Sequence, residues 1–441
     1  MNPSSGRPDD VTPIRLGLLG CGTVGSALAR LLTERHAEIA DRRGVDLSIR
    51  RVAVRDLTKA RDVDIDPAAF TDDAGAVVEA DDVDLVVELI GGVDLPRDLV
   101  ARALAAGKPV VTGNKALLAT HGPELYALAD ENGVDLLFEA AVAGGIPLMR
   151  PLRESLIGEP VTRVMGIING TTNYILTRMS EAGVAYADAL AEAQSLGYAE
   201  ADPTADVEGH DAGAKAAIIA TIVFGRAVLA DDVHHEGITR LTTDDIATAA
   251  RLGFAVKMIA VVDADTAGAE PAIAVRVHPA LVPLDHPLAS VRDSFNAVFI
   301  EGDAVGDLML YGRGAGGAPT ASAVLGDVID AATNLVTGTA ARIGSLPRAT
   351  IRPLDELSSA FYLRMAVADE PGVLAQVADV FGRKHVSIKS MEQQGLGAEA
   401  RVIFITHISQ EAAVRATLDE LRELPAVRDI AAVIRVVGTD D

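Results

Sequence analysis

The sequence has little cysteine, a deficit of positive charge and no long apolar run. Its single cysteine, Cys21, cannot form an internal disulfide, which is typical of a reducing compartment. The net charge of −24 leaves no basic face for phosphates, so we expect no nucleic-acid partner. The uncharged run at 216–225 is too short to span a bilayer, and polar residues 1–12 lack the apolar core of a signal peptide. We therefore predict a cytoplasmic globular protein with a disordered tail at 1–12.

The chain is rich in apolar residues, and their pattern changes along the sequence. Hydrophobic residues make up 49% of 441 residues, enough to bury the cores of roughly three domains. In the first third, short apolar runs alternate with helical patterns, which predicts a doubly wound parallel sheet of the Rossmann type. The predicted strands are 14–19, 48–54, 84–90, 109–112 and 134–138, and the predicted helices are 24–35, 96–106 and 123–132.

After Pro147 helices and strands no longer alternate strictly, which predicts an α+β substrate domain. The last part reads β-α-β-β-α-β, the ferredoxin-like order. We predict a dinucleotide-binding domain at 13–147 with a helix at 318–343, a substrate and dimerisation domain at 148–317, a linker at 344–358 and a small C-terminal domain at 359–441.

A Gly-x-Gly-x-x-Gly pattern occupies 20–25, directly after a predicted strand and at the start of a helix. In that context the glycines allow a tight turn, close approach of a pyrophosphate and close helix–strand packing. The candidate cofactor residues here are Gly20, Gly22 and Gly25.

The end of the second predicted strand bears on the choice of cofactor. Arg55, with Lys59 one turn away, suits the 2′-phosphate of NADP, whereas Asp56 keeps NAD open. An ordinary charged loop would look the same. We expect NADP to be preferred.

Two further segments carry charged residues where ligands bind. Lys115 follows a strand of the parallel sheet at its carboxyl edge, although a solvated lysine would fit equally well. Glu139 lies in an apolar, glycine-containing bend. It would suit a hard cation bound by one carboxylate and carbonyl oxygens, but a buried acid hydrogen-bonded to loop amides is the simpler interpretation.

The run 197–215 is the most charge-dense part of the chain that leads into an apolar helix. Asp211 and Lys215 are four residues apart and share a helix face, while Glu200 and Asp202 precede the helix in a loop. A helix-dipole role accounts for Glu208 but not for an ammonium beside a long apolar helix.

Two other patterns remain ambiguous from sequence. The glycine-rich loop 312–317 permits close approach to a ligand but would equally serve as a joint. Asp231, Asp232, His234 and His235 lack further ligands at metal-site spacing, so we expect a solvated loop.

Together these segments resemble the homoserine dehydrogenase family from about residue 14 onward, and 369–374 lie in a unit that resembles an ACT domain. The motifs that carry the resemblance are residues 20–25, Gly113-Asn114-Lys115, Asn169-Gly170-Thr171-Thr172-Asn173, and the segment that starts with 197–203 and continues to Lys215. The resemblance implies reversible NAD(P)H-dependent reduction of L-aspartate 4-semialdehyde to L-homoserine, feedback inhibition by L-threonine, and a homodimer or homotetramer.

The resemblance also implies roles for single residues. Lys215 would be the proton donor and Lys115 its partner at the reacting oxygen and nicotinamide. Substrate would be bound by Glu200 and Asp211 with support from Asp206, Gly197 and Tyr198. The cofactor would be contacted by Thr23, Val24, Arg55, Lys115, Gly197 and Gly317, and a sodium ion by Glu139 and the carbonyls of Val142, Gly144 and Ile146.

Two alternatives stay open from sequence alone. One is a dehydrogenase of another small aldehyde or hydroxy acid on the same plan. The other is a non-catalytic amino-acid sensor, although the expected loss of Lys215 or of the glycine pattern is not seen.

Overall fold

The structure, a computed structural model, describes residues 11–265, 271–344, 346–395 and 400–438. The predicted tail at 1–12 falls almost entirely outside these residues. The described chain forms two compact units. Unit 1 comprises 1–161, 214–232 and 301–349, and unit 2 comprises 162–213, 233–300 and 350–441.

The first part of the chain alternates strands and helices as predicted. Its elements are β1 (Thr12–Leu19), α1 (Thr23–Arg43), β2 (Val45–Ala53), β3 (Phe70–Thr71), α2 (Ala74–Glu79), β4 (Leu85–Glu88), α3 (Asp94–Ala105), β5 (Val110–Thr112), α4 (Lys115–Asn132) and β6 (Leu136–Leu137).

The middle of the chain mixes helices with longer strands. Its elements are β7 (Val161–Ile167), α5 (Gly170–Ala182), α6 (Tyr186–Ser195), α7 (Thr204–Val207), α8 (His210–Phe224), β8 (His234–His235), α9 (Thr243–Arg251), β9 (Phe254–Asp265), β10 (Ala272–Pro283), β11 (Phe295–Gly302), β12 (Gly306–Arg313) and α10 (Gly317–Thr337).

The C-terminal part follows the predicted ferredoxin-like order. Its elements are β13 (Thr350–Ile351), β14 (Ser358–Val367), α11 (Val373–Arg383), β15 (Ile388–Gln394), β16 (Arg401–Thr406), β17 (Ser409–Gln410), α12 (Glu411–Arg422) and β18 (Val427–Val436).

The sheet of unit 1 confirms the predicted Rossmann-type fold. Its strands are all parallel, in the order β3-β2-β1-β4-β5-β6. The central strands are buried, and α1 and α10 pack on the same core, where Leu28, Leu32 and Val328 are at most 5% exposed. The carboxyl ends of β1, β4 and β5 therefore form one edge on which ligand-binding loops can meet.

The sheet of unit 2 is mixed, which agrees with the predicted α+β class. Its strands run β11-β7-β9-β10-β18-β14-β16-β15, and β18 pairs in parallel with β10 through Ala280–Arg435 and Leu281–Val436. The ferredoxin-like unit thus shares one continuous sheet with the middle of the chain. Within the segment predicted as a linker, β13 also pairs with β10.

Several elements were not predicted, among them β3, α2, α9 and β9, and helices α1 and α4 are longer than predicted. Strand β9 carries Lys257 in its apolar centre, which breaks the pattern expected of a buried strand, yet this lysine is 5% exposed. Helix α4 begins at Lys115 instead of 123, because Asn114 caps it and Pro123 is accommodated inside it.

Candidate active site

The glycine pattern forms the turn between β1 and α1. Gly20 has φ +100° and donates its N–H to the Ala53 carbonyl at 2.9 Å, so the turn needs glycine there. A Cβ at Gly25 would overlap the Gly20 carbonyl oxygen, so α1 packs directly on the turn. Thr23 and Val24 begin the helix, whose first N–H groups have no acceptor within the helix and can bind a phosphate.

A second helix starts beside the same turn. Gly317 is the first residue of α10, and a Cβ there would lie 3.0 Å from Thr23 Cγ2. Two helix N-termini, each with a partial positive charge, therefore lie next to each other in unit 1. Such a pair suits a diphosphate.

The loop after β2 is held by hydrogen bonds of its own charged side chains, unlike an ordinary solvated loop. Asp56 accepts hydrogen bonds from the Thr58 N–H at 2.8 Å and from its hydroxyl at 2.6 Å, and the Thr58 hydroxyl is the main cause of a lowered pKa at Asp56. Arg61 spans the loop by donating to the carbonyls of Asp56 and Cys21, at 2.9 and 3.3 Å. Arg55 lies exposed on this loop.

Lys115 stands at the carboxyl edge of the parallel sheet. It opens α4, and Asn114 caps that helix through the Leu117 N–H at 3.1 Å while donating to the Gly92 carbonyl at 2.8 Å. Glu88, fully buried at the end of β4, accepts from the Thr112 hydroxyl at 2.6 Å and the Ile90 N–H at 2.9 Å. The edge that carries Lys115 is therefore fixed by a carboxylate that the sequence analysis did not single out.

Glu139 is buried, and its carboxylate is held by loop amides. It accepts from the N–H groups of Leu148, Met149 and Arg150 at 2.5, 2.7 and 2.9 Å. The simpler interpretation from sequence is therefore correct for these contacts. Its own N–H donates to Asp327 at 2.7 Å, and burial raises the pKa of that acid to about 7.

The bend after Glu139 offers oxygen atoms as well. Ala143 and Gly144 both have positive φ, 57° and 53°, and the glycine lies so close to the Gly314 carbonyl that a Cβ would overlap it. The loop 312–317 is thus packed against this bend within unit 1. Among the residues that the structure describes, no hydrogen-bond donor reaches the buried carbonyls of Val142, Gly144 and Ile146. Carbonyl oxygens without donors are the kind of ligand that a hard cation takes.

In unit 2, one amide group joins two of the predicted acids. Asn169 Nδ2 donates to Asp206 at 2.7 Å and to Asp211 at 3.0 Å. Its Oδ1 accepts from the Thr172 N–H at 2.9 Å, which caps α5 and fixes the orientation of the amide. Asn169 occurs in a quoted motif but received no role from sequence, where the only available signal was its N-cap position.

The chain just before these acids is also held by α5. Gly197 has φ +76° in the turn that ends α6, and the Thr171 hydroxyl donates to the Tyr198 carbonyl at 2.6 Å. The Tyr198 ring lies 5.0 Å from that of Tyr174. Glu200 is exposed, and within the described ranges its carboxylate accepts no hydrogen bond.

Helix α8 carries Asp211 in its first turn and Lys215 one turn later. Both side chains are partly buried, whereas the helix from Ala216 to Ala220 is fully buried. The apolar body therefore anchors the helix, and its N-terminal turns present the charged residues.

The segment 231–236 is not the solvated loop that the sequence predicted. Asp232 accepts from Arg348 at 2.6 Å with its side chain 13% exposed, and the His235 ring lies 4.9 Å from that of His210. Burial, followed by the charges of His210 and His234, lowers the pKa of His235. No cluster of three or more His, Cys, Asp or Glu side chains suited to a metal occurs in the described part of the chain. Nor is any described helix sufficiently long and apolar to cross a bilayer.

Comparison with known proteins agrees with this architecture. Family models match over 20–139 ("Homoserine dehydrogenase, NAD binding domain"), 147–329 ("Homoserine dehydrogenase") and 361–426 ("ACT domain"). Homoserine dehydrogenase of Corynebacterium glutamicum is 49% identical over 96% of this chain and 95% of its own length.

Two solved structures are informative. That of a homoserine dehydrogenase from Thiobacillus denitrificans matches with a TM-score of 0.90 and 39% identity, over 97% of this chain and 99% of that one. A hyperthermophilic archaeal homoserine dehydrogenase in complex with NADPH matches with a TM-score of 0.61 and 30% identity, over 73% of this chain and 98% of that one.

Proposed function

Since the chain belongs to the homoserine dehydrogenase family, we propose that Lys215 is its catalytic acid and that Asp211 and Glu200 bind the substrate. The chain is an NAD(P)-dependent oxidoreductase, and it interconverts L-aspartate 4-semialdehyde and L-homoserine. The observation that carries the assignment of roles is the Asn169 bridge. It holds Asp211 in a fixed orientation one helical turn before Lys215.

The chemistry of the substrate supports these roles. Its α-ammonium group is a cation, and a carboxylate held by a hydrogen bond, as Asp211 is, orients such a group without needing to reorganise. When bound, the nicotinamide supplies the hydride to the aldehyde carbon. The Lys215 ammonium stabilises the negative charge that develops on the aldehyde oxygen and then donates a proton to it. Lys115 assists at the same oxygen and at the nicotinamide. Asp206 supports Asp211 through Asn169, while Gly197 and Tyr198 shape the approach of the substrate.

Replacing Lys215 tests the assignment directly. We expect Lys215→Ala to lower kcat by at least about 1,000-fold, because both charge stabilisation and proton donation are lost. The affinity for NADPH, measured by its fluorescence, should change less than about threefold. Lys108→Ala is a matched control, since this partly buried lysine donates to the carbonyls of Val78 and Ala80 and has no role in the proposed reaction. A near-normal kcat in Lys215→Ala would remove this residue from the chemistry.

The cofactor preference belongs to the same proposal. NADP is preferred because Asp56, the group that would bind a ribose hydroxyl of NAD, is already engaged with Thr58. Arg55 is exposed on the same loop and suits a 2′-phosphate.

We also propose that Glu139 and the carbonyls of Val142, Gly144 and Ile146 hold a sodium ion. The three carbonyls lacking donors within the described ranges support this. The ion would hold the bend against the loop 312–317, whose last residue, Gly317, begins α10.

Regulation and assembly complete the proposal. The ACT domain indicates an amino-acid effector, which we propose to be L-threonine. We further propose a homodimer or homotetramer that acts in the cytoplasm. A single, buried cysteine in the chain supports a reducing compartment.

A further inference from the structure

Residues 234–239, here termed the strap, lie against the run 207–213 that leads into Asp211. The Ile238 N–H donates to the Val207 carbonyl at 2.9 Å, and the Thr239 hydroxyl donates to Glu208 at 2.9 Å. The ring of His235 packs on that of His210. The strap thus contacts the run at three successive points.

The strap and the run 207–213 pack so closely that glycines are needed at the points of contact. A Cβ at Gly213 would overlap Nε2 of His235, and a Cβ at Gly237 would overlap the Glu208 carboxylate. Gly209, at φ +86°, is less tightly packed, since a Cβ there would lie 2.8 Å from Cε at the flexible end of Met258. Because packed interiors respond to displacement by moving neighbouring groups, a shift of the strap would move the first turn of α8 with it.

The strap is also tied to the C-terminal domain by a buried ionic network. Glu236 accepts from Arg435 of β18 at 2.7 Å, and Arg435 also binds Glu411 at 2.5 and 2.9 Å. His234 lies 2.9 Å from Glu236. Burial opposes ionisation of Glu236, but His234 and Arg435 outweigh it and lower its pKa to about 2.

We propose that the strap is a positioning element for the substrate carboxylates and that Arg435 makes its position depend on the C-terminal domain. His235 and Glu236 are then positioning residues, since they reach Asp211 only through the run 207–213. This inference rests on the proposed role of Asp211 in binding the substrate. A route of this kind requires a measured coupling between the residues, which a double-mutant cycle supplies.

The first experiment uses the overlap at Gly213. Gly213→Ala introduces a methyl group where the His235 imidazole lies, so we expect KM for homoserine to rise at least about tenfold while KM for NADP changes less than twofold. His235→Ala removes the imidazole and makes space. The double variant should therefore recover KM to within about threefold of the parent. A double variant no better than Gly213→Ala would overturn the proposal.

The second experiment tests the link to the C-terminal domain in the full-length chain. Glu236→Gln keeps the shape of the side chain and weakens its pairing with Arg435, so KM for homoserine should rise about threefold or more. Arg364→Lys is the matched control. Arg364 is an arginine of β14 that pairs with an acid outside the strap, since its Nε donates to Asp245 of α9 at 2.8 Å. Equal KM changes in the two variants would contradict a specific route through the strap.

Asp211→Asn separates failure of this inference from failure of the proposed function. If it leaves KM for homoserine unchanged, the proposed role of Asp211 is wrong and the inference falls with it. If it raises KM while the Gly213 and Glu236 variants behave as their controls, only the inference is wrong.

Discussion

Asn169 shows how a neutral side chain can hold two like charges close together. Its two amide hydrogens point at Asp206 and Asp211, and its oxygen is anchored on α5. Each carboxylate therefore accepts a hydrogen bond from the same amide group. The amide orientation follows from the helix cap, since only the oxygen can accept from the Thr172 N–H.

We expect Asn169→Asp to lower kcat/KM for homoserine about 10- to 100-fold. The new carboxylate keeps the cap on α5 but presents a third negative charge in place of two donors, each worth about 1.5–3 kcal/mol to a charged acceptor. Asn169→Ser also retains a capping group and loses both donations without adding charge, so its loss should be smaller. Steady-state kinetics and thermal melting would be measured on both. Equal activity of Asn169→Asp and the parent would contradict the role of this amide.

Lys257 is a buried cation that the proposed reaction does not use. It is 5% exposed, donates to the Val291 carbonyl, and burial is the main cause that lowers its pKa from 10.5 to about 8. The folded state therefore binds this proton less tightly than the unfolded state. The stability that the neutral Lys257 side chain contributes is fully present above the pKa of the unfolded chain, 10.5. It is lost as the pH falls through the pKa of the folded chain, about 8.

Lys257→Met should accordingly increase the free energy of unfolding at pH 7. The increase is at most about 3 kcal/mol, since one pKa unit corresponds to about 1.36 kcal/mol. Loss of the hydrogen bond to Val291 reduces it. Its advantage over the parent should shrink between pH 8 and 10.5 as the lysine loses its proton in both states. Urea unfolding at several pH values measures this. Lys389→Met changes an exposed lysine of β15 and should give no such trend. A constant difference across this pH range would contradict the assignment.

At the scale of elements, the parallel strands and the turns that follow them account for the dinucleotide-binding part of unit 1. The turn after β1 needs Gly20 and Gly25, and the loop after β2 is braced by Arg61. The sequence identified the glycines because their spacing is specific. It did not identify Arg61, because an arginine that donates to distant carbonyls has no pattern in the chain.

For the loop after β2 we expect Arg55→Ala to raise KM for NADPH about 10- to 100-fold, since a charge-assisted hydrogen bond to a phosphate is lost. KM for NADH should change less than about twofold. Arg50→Ala is the control, because Arg50 lies in β2 and pairs with Asp82. An unchanged KM for NADPH would remove Arg55 from cofactor selection.

At the scale of the whole molecule, the C-terminal domain continues the sheet of unit 2. Strand β18 pairs with β10 at Ala280 and Leu281, next to β8 and β13, which pair with β10 further along. The central residues of β10, Ile273 to Val282, are almost fully buried. An exposed edge of this kind favours pairing with other chains. Deleting the domain therefore removes part of the structural support of unit 2 along with any effector site.

We expect a chain ending at residue 349 to melt at a lower temperature than the intact chain and to aggregate as its concentration rises. Calorimetry and light scattering would measure both effects. An equally stable, monodisperse truncated protein would show that β10 does not depend on β18. If the expectation holds, sensitivity to threonine is better tested with point variants than by deletion.

The sequence by itself determined the Rossmann-type order, the ferredoxin-like unit and the charged residues around 197–215, because these depend on local periodicity, glycine spacing and short motifs. The tertiary structure alone decided which side chains hold these charged residues in place. Asn169 bridges acids 37 and 42 residues away, and Glu236 meets an arginine 199 residues away. Strand β9 escaped prediction for the same reason, since the Val291 carbonyl and the Asn173 side-chain amide, both from distant segments, accept hydrogen bonds from Lys257. Hydrogen bonds and ion pairs of such long sequence separation leave no periodic signal, so only the folded chain reveals them.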